Sequence, residues 1–188
     1  MAKNKIKYGL SNAHVYPITK DEQGGDTTYG DAIALLGSVS LSLSAESSSN
    51  PFYADNKVYY QTSSNNGYSG SLEIALIPDE FYTKILGMKK EEKTGALVES
   101  SNDKVSEFAL AFQFEGDTNA IKHVLFRCKA TRPNIESETQ GESVDPKTDS
   151  FDFVAMARLS DNLVKAKAES DAPSYATFFE APINMKQE

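Results

Sequence analysis

The sequence predicts a mainly β domain with one short helix, and three observations support this prediction. Five segments alternate apolar and polar residues with a period of two, as expected of strands that bury one face. Short links rich in turn-forming residues join neighbouring segments of this kind, which is typical of β-hairpins. One segment stands out by the apolar spacings of three and four that indicate a helix. The strand segments are residues 37–46, 67–77, 107–115, 121–131 and 149–159.

Two links between strands are predicted to be hairpin turns. The segments 107–115 and 121–131 are separated by Gly-Asp-Thr-Asn-Ala, a short turn-rich sequence. The second link is Asn65-Asn66-Gly67, between a strand at 58–64 and the strand that begins at Tyr68. Asn and Gly tolerate the positive φ angles of a tight hairpin turn, so a second long hairpin is predicted here.

A single helix is predicted over residues 78–86. Pro78 suits the first helical position, where the missing N–H is not needed. Asp79 and Glu80 then lie near the positive end of the helix dipole. Gly87 is predicted to end the helix, because it adopts a left-handed conformation without strain. A helix this short is stable only when it packs on the sheet.

The 188 residues are predicted to form a single domain, 1–188, with long loops and terminal arms. Polar stretches predict loops at 19–30, 45–59 and 88–104; a loop of this length between compact strands is usually functional or disordered. The terminal stretches are predicted to be an N-terminal arm or strand at 1–18 and a C-terminal arm at 170–188.

Composition narrows the class of protein. With 19 basic and 27 acidic residues the net charge is −8, which argues against binding DNA phosphates over the whole surface. The single cysteine, Cys128, excludes an internal disulfide and is predicted to be a buried core residue. No apolar run has the length of a signal peptide or a membrane span, so a protein made and kept in a cytoplasm is expected.

No pattern points to catalysis, a metal or a cofactor. His14 and His123 have no histidine or cysteine at metal-ligand spacing. The sequence contains neither a glycine-rich phosphate loop nor a Gly-x-Ser-x-Gly nucleophile motif. We therefore predict that the protein is not an enzyme and holds no cofactor or metal. A hydrolase whose two carboxylates are hidden among the 27 acids is a remote alternative.

Charge and aromatic residues suggest association between subunits. Residues 121–133 carry four basic residues and no acid (+4), whereas 134–152 carry six acids and one lysine (−5). These blocks either balance each other within one chain or match between neighbouring subunits. Tyrosine and phenylalanine in the 45–59 stretch are typical of interface cores. The candidate interface residues are Phe52, Tyr53, Asp55, Tyr59, Arg127, Lys129, Arg132, Glu136, Glu138 and Glu142.

Four stretches of the sequence form a recognisable pattern. The most specific is 51–87, PFYADNKVYYQTSSNNGYSGSLEIALIPDEFYTKILG; the others are YGLSNAHVYPI at 8–18, FALAFQFEGDTNAIKHVLFRCKATRP at 108–133 and residues 148–167. Together they resemble the major tail proteins, or tail tube proteins, of long-tailed phages and prophages of Gram-positive bacteria, in which the last three match the start, the central hairpin and the closing strands. Some relatives carry an added immunoglobulin-like domain, which is not expected in a chain of this length.

The resemblance implies a structural virion protein. It implies a fold of two orthogonally packed antiparallel sheets, like a β-sandwich or barrel, with a flanking helix. Subunits would form hexameric rings that stack into a tube around the tape-measure protein, and the tube would conduct DNA during ejection. Tail terminator and distal tail proteins would be further partners, no membrane would be involved, and assembly would take place in the host cytoplasm. The stretch 45–59 would reach the adjacent ring.

A lumen that lets DNA slide should be neutral or acidic, because a basic wall would hold the phosphates. Strand faces with small polar residues are therefore candidate lumen or inter-subunit surfaces. The alternative to a tube subunit is a virion β-sandwich that binds a host receptor or carbohydrate through its tyrosine-rich loop. The candidate lumen or inter-subunit residues are Ser40, Ser42, Ala109, Ala111 and Gln113.

Overall fold

The computed structural model describes residues 4–135, 137, 139, 147–180 and 182 of the chain. Within them the chain forms eleven strands and one short helix, and every paired strand is antiparallel. The elements are β1 (Lys7–Lys20), β2 (Thr28–Tyr29), β3 (Ile33–Ala34), β4 (Ser38–Ala54), β5 (Lys57–Ile74), α1 (Asp79–Lys84), β6 (Lys89–Lys90), β7 (Leu97–Val98), β8 (Phe108–Gly116), β9 (Ile121–Ala130), β10 (Asp149–Met156) and β11 (Lys165–Ala168).

Nine strands form one large sheet in the order β2-β1-β8-β9-β10-β5-β4, with β3 paired to β1 and β11 paired to β9. β6 and β7 form a small second sheet. The large sheet curves, because β1 and β4 approach each other although three or more strands separate them in the strand order. The prediction of a mainly β chain with antiparallel sheets and one short helix is confirmed.

The main core lies on the concave side of this sheet. Leu72 of β5, Leu110 of β8 and Phe151 of β10 are fully buried there. Helix α1 covers them with Phe81, whose ring centroid lies 4.6 Å from that of Phe151. Burying one such aromatic side chain contributes about 1.5–3 kcal/mol, which anchors a helix too short to be stable alone.

A second core lies on the opposite side of β1, β8 and β9. It contains Tyr16, Phe126 and Phe178, and the last of these comes from the segment that follows β11. Because β8 is covered on both sides, it has no polar face along its first half, and residues 108–112 are all buried. The alternation predicted for this strand is therefore an alternation between two cores, not between core and solvent.

The helix is confirmed but shorter than predicted. It spans Asp79–Lys84, with Pro78 as the N-cap residue and Ile85 as the C-cap residue. Asp79 and Glu80 occupy the first turn as expected. Gly87 adopts a positive φ of 82° two residues past the C-cap, so it redirects the chain after the helix and is not itself the cap.

The hairpin β8–β9 is confirmed, but the turn predicted at Asn65-Asn66-Gly67 is wrong. Strand β5 runs without interruption from Lys57 to Ile74, and the turn lies at Asp55 and Asn56 instead. These two residues have φ angles of 52° and 59°. Asp and Asn side chains tolerate this region, which a two-residue hairpin loop requires at both of its positions.

Most of the predicted loop at 45–59 is also in strands. Its polar composition arises because both faces of this ribbon are exposed to solvent, so no apolar alternation is needed. The stretch at 88–104 contains the small β6–β7 sheet, and the N-terminal stretch from Lys7 belongs to β1, an interior strand of the large sheet. Residues 170–180 of the predicted C-terminal arm lie against the body through Phe178.

Two large apolar residues on the predicted apolar faces of 37–46 and 67–77, Val39 and Leu76, are exposed. The ladder between β4 and β5 is irregular between Ser38 and Ser40, and this leaves Val39 in solvent while Leu41 packs on the core. Leu76 lies beyond the end of β5 and is exposed as well.

Candidate assembly surfaces

The most prominent surface is a two-stranded ribbon formed by residues 46–66, which we call the hairpin arm. Its ladder continues from the pair Ser47–Asn65 to the pair Ala54–Lys57. Strand β10 pairs with β5 only from Tyr68 onward, so no other strand of the described residues lies beside the arm. Eight residues at about 3.3 Å per residue carry its tip roughly 25 Å beyond the body.

The tip of the hairpin arm presents four exposed aromatic side chains. Phe52, Tyr53, Tyr59 and Tyr60 are 60–69% exposed. Phe52 lies directly opposite Tyr60 in the ladder, so the two share one face of the ribbon. An exposed apolar patch of this kind on a soluble chain marks an interaction site.

Hydroxyl and amide side chains run along the rest of the hairpin arm. The Ser48 and Ser64 hydroxyl oxygens lie 2.5 Å apart across the ladder. The Gln61 amide donates a hydrogen bond of 2.6 Å to the Ser49 hydroxyl. These contacts hold the two strands together, but an isolated two-stranded ribbon is only marginally stable in water. A partner that packs against the hairpin arm would therefore stabilise its fold.

Gly67 marks the point where the hairpin arm leaves the body. It has a φ of 91°, and a Cβ atom at this position would lie 1.9 Å from the Ala155 carbonyl oxygen of β10. Only glycine lets the two backbones approach this closely. The residue that suggested a turn in the sequence is thus required for packing at the root of the arm.

A polar surface covers the side of β4, β5 and β10 that faces away from the main core; we call it the serine face. Ser40 and Ser42 lie on it together with Glu73, and both serines are exposed. The Ser40 hydroxyl donates a 2.8 Å hydrogen bond to Glu73 Oε2, and the Thr148 hydroxyl donates one of 2.6 Å to Oε1. The hydrogen bonds from Thr148 and Ser40 lower the pKa of Glu73, so its charge persists at neutral pH.

The other candidate lumen residues, Ala109, Ala111 and Gln113, lie on β8 and not on the serine face. Ala109 and Ala111 are buried in the second core, so the prediction that they form a lumen or inter-subunit face is wrong for this chain. The sequence could not show this, because the covering Phe178 is distant along the chain. Gln113 is half-buried, and its amide donates to the Ser11 hydroxyl at 3.0 Å and to the Glu115 carboxylate at 2.9 Å.

The predicted basic block is largely paired within the chain. Arg127 donates two hydrogen bonds, of 2.7 and 2.8 Å, to the Glu107 carboxylate, and Arg132 forms a 2.8 Å ion pair with Glu99. Both arginines are thus paired within the chain, but with acids outside the acidic block, so these contacts do not decide between the two alternatives. Lys129 is exposed on β9. The acidic candidates Glu136, Glu138 and Glu142 lie outside the described residues.

The C-terminal segment 170–180 is held by polar contacts as well as by Phe178. The Tyr16 hydroxyl donates to the Phe179 carbonyl oxygen at 2.5 Å. The Lys122 ammonium donates to the Tyr175 carbonyl oxygen at 2.6 Å and lies 4.3 Å from the centroid of the Tyr175 ring. This segment therefore seals the second core.

Sequence reasoning missed a buried ion pair within the turn after β10, between Arg158 and Asp161. Arg158 is 2% exposed, its guanidinium donates to both oxygens of Asp161 at 2.7 and 2.5 Å, and it stacks 4.3 Å from the Phe126 ring centroid. Burial opposes ionisation of Asp161, but hydrogen bonds from Arg158 and from the Leu163 backbone outweigh it and lower the pKa of this carboxyl. An arginine with no motif around it carries no signal in the sequence that could reveal this role.

Among the described residues, no group of three or more His, Cys, Asp or Glu side chains is arranged to hold a metal ion. His123 stacks on Phe112 with ring centroids 5.2 Å apart. Burial, together with Lys165, Lys167 and Lys7, lowers its pKa to about 4, so it is neutral at pH 7. In the part of the chain that the structure covers, no helix has the length and apolar character to span a membrane.

Comparison with known proteins agrees with the predicted family. No curated protein sequence matches the chain. The family model described as phage tail tube protein, however, matches residues 2–183, which is nearly the whole chain. Proteins of this family are structural parts of the virion tail and not catalysts. The chain therefore belongs to the phage tail tube protein family, and it is a structural component of a phage tail tube.

Proposed function

We propose that six subunits of the protein close into a ring. The rings stack into the tail tube around the tape-measure protein, and the tube later conducts DNA. The observation that carries this proposal is the hairpin arm, because its aromatic tip is exposed and, among the described residues, no third strand pairs with it. An arm that extends about 25 Å beyond the body brings its aromatic tip within reach of a neighbouring subunit. The predicted use of residues 45–59 between rings thus stays a proposal, now with a hairpin in place of a loop.

Lateral contacts within a ring are proposed to use the outer edge of β4. This strand ends the order of the large sheet, and in the described residues no strand pairs with its outer edge. An edge strand of 17 residues without lysine is a hazard in a monomer, but in a ring it can pair with a neighbouring subunit.

The serine face is proposed to line the lumen. It combines small hydroxyl side chains with Glu46 and Glu73, and Glu46 accepts a 2.7 Å hydrogen bond from Ser69. An acidic wall with short side chains offers DNA phosphates no cation to bind, so DNA can pass without release of its counterions. Ser40 and Ser42 remain the leading lumen candidates.

Electron microscopy of the concentrated protein tests the proposal. We expect the wild-type chain to form rings or tubes of uniform diameter, and the double variant Phe52→Ala, Tyr53→Ala to form none while its melting temperature stays unchanged. Leu159→Ala is the matched control, since this side chain is also exposed but lies outside the hairpin arm. A wild-type chain that remains monomeric at every concentration, and in the presence of the other tail proteins, overturns the proposal.

The same variants separate the tube from the alternative of a receptor- or carbohydrate-binding module. If the tyrosine-rich tip binds a glycan, the double variant loses that binding but still polymerises. If the tip joins rings, the variant loses polymerisation.

A further inference from the structure

The base of the β4–β5 ribbon carries a second exposed apolar cluster, at the end opposite the aromatic tip. Leu36 is 79% exposed and Leu76 is 73% exposed. The pair Ser38–Ile74 and the hydrogen bond from the Ala75 amide to the Gly37 carbonyl join the two strands at this end, and Leu36 and Leu76 lie one residue beyond that hydrogen bond. We call Leu36 and Leu76 the leucine pair.

Hydrogen bonds of the neighbouring residues hold the backbone on both sides of the leucine pair. Leu36 lies between two anchored neighbours, since the Leu35 amide donates to the Ala13 carbonyl at 2.8 Å and the Gly37 carbonyl accepts from Ala75. Leu76 is flanked in the same way, because the Ile77 amide donates 3.0 Å to the Asp149 carboxylate. An apolar surface that is already ordered loses little conformational entropy when a partner covers it.

The tip of the hairpin arm cannot cover the leucine pair of its own chain. The ladder from Ser38 to Ala54 keeps the two clusters at opposite ends of one ribbon, about 50 Å apart at 3.3 Å per residue. Two complementary patches at opposite ends of one element join copies head to tail, and a contact of this type propagates without closing.

The areas are of the right size for such a contact. Aromatic side chains bury about 150–250 Å² each, so four that are 60–69% exposed offer on the order of 500 Å². Together with the leucine pair and the neighbouring exposed Val39, the contact approaches the roughly 1,000 Å² of a specific interface. In a tube, every subunit of a ring would make this contact with a subunit of the next ring.

We propose that the leucine pair is the surface on which the aromatic tip of a second copy docks in the next ring. This inference rests on the proposed function and adds the acceptor for the hairpin arm. Another apolar candidate is a cleft of about 210 Å³ beside α1, which includes Met88 and Ile135. That cleft has room for about one aromatic side chain, whereas the arm presents four, so it is the weaker candidate.

Disulfide cross-linking of assembled tubes tests the acceptor. The only native cysteine, Cys128, is fully buried, so introduced cysteines are the accessible thiols. We expect oxidised tubes of the double variant Tyr59→Cys, Leu36→Cys to give a ladder of linked chains on a non-reducing gel. Tyr59→Cys with Leu159→Cys is the matched control and is expected to stay monomeric on the gel.

A third variant, Tyr59→Cys with Ile135→Cys, reports on the cleft. A ladder from this variant and none from the Leu36 variant overturns the proposal, and so does the absence of a ladder from every variant in intact tubes. Both results leave the tube function standing, because tubes are seen before oxidation. A wild-type chain that forms no tubes instead overturns the proposed function, and the acceptor with it.

Discussion

Replacing Gly67 by alanine is expected to destabilise the folded subunit strongly. Gly67 sits at the root of the hairpin arm with a φ of 91°, and an added Cβ would meet the Ala155 carbonyl oxygen at 1.9 Å and its carbonyl carbon at 3.0 Å. Both atoms belong to the backbone of β10, so no side-chain rotation relieves the contact.

The cost has two parts. A non-glycine residue at a positive φ loses about 1–2 kcal/mol. Moving β10 away from the new Cβ weakens the neighbouring pairs Ala155–Tyr68 and Val154–Ser69, and each backbone hydrogen bond contributes about 0.5–1.5 kcal/mol. The expected loss is therefore about 3–4 kcal/mol, which for a domain of this size lowers the melting temperature by roughly 6–15 °C.

Urea denaturation and thermal melting of the purified chain measure this effect. Gly24→Ala is the matched control, because Gly24 also has a positive φ (72°) but an added Cβ would have nothing within 4 Å. The control carries the backbone cost alone, about 1–2 kcal/mol. If Gly67→Ala loses no more stability than Gly24→Ala, the close approach of β5 and β10 does not constrain this residue, and the reasoning is refuted.

Two further predictions concern buried charge. The pKa of His123 is lowered to about 4, so between pH 6.5 and 4 the unfolded chain binds a proton that the folded chain does not, and stability falls as pH falls. Allowing for the partial exposure of the ring, the free energy of unfolding should fall by about 2 kcal/mol between pH 7 and pH 4.5. Urea denaturation at both pH values should show a smaller fall for His123→Phe than for the wild type. Asp161→Asn removes the carboxylate that accepts two hydrogen bonds from the buried Arg158 guanidinium, and it should lower the stability by about 3 kcal/mol at pH 7. The double variant with Arg158→Met should recover most of this stability. Equal urea midpoints for the single variant and the wild type would contradict the prediction.

The apolar pattern alone predicts the body of the fold well. Alternation over 107–115 and 121–131 identified β8 and β9 and their hairpin, because each strand has an apolar face that must be buried. Strand β10 followed from the same signal, with Phe151 and Phe153 in the main core. The helix was found from the spacing of Phe81 and Ile85, since an amphipathic stripe is a local property of the chain.

The pattern fails where a strand has no buried face or two buried faces. In the hairpin arm both faces meet solvent, so serines on consecutive positions resemble a loop, although the residues are paired in a ladder whose register shifts only after Ala45 and after Phe52. In β8 both faces are covered, so Ala109 and Ala111 resemble a small exposed face, although Phe178 closes over them. Neither environment is encoded in the neighbouring residues alone.

The sequence by itself determined the fold class, the family and the aromatic candidates for assembly, because periodicity and family pattern are carried by residue order. Only the tertiary structure decided what surrounds each residue. In it, Arg127 and Arg132 form ion pairs within the chain. The hairpin turn lies at Asp55 and Asn56 and not at Gly67, where the sequence predicts it. The leucine pair lies at the end of the ribbon opposite the aromatic tip. Which residues are buried, and which lie opposite each other in the sheet, depends on which distant strands pack together. This contact information is absent from any local segment of the chain.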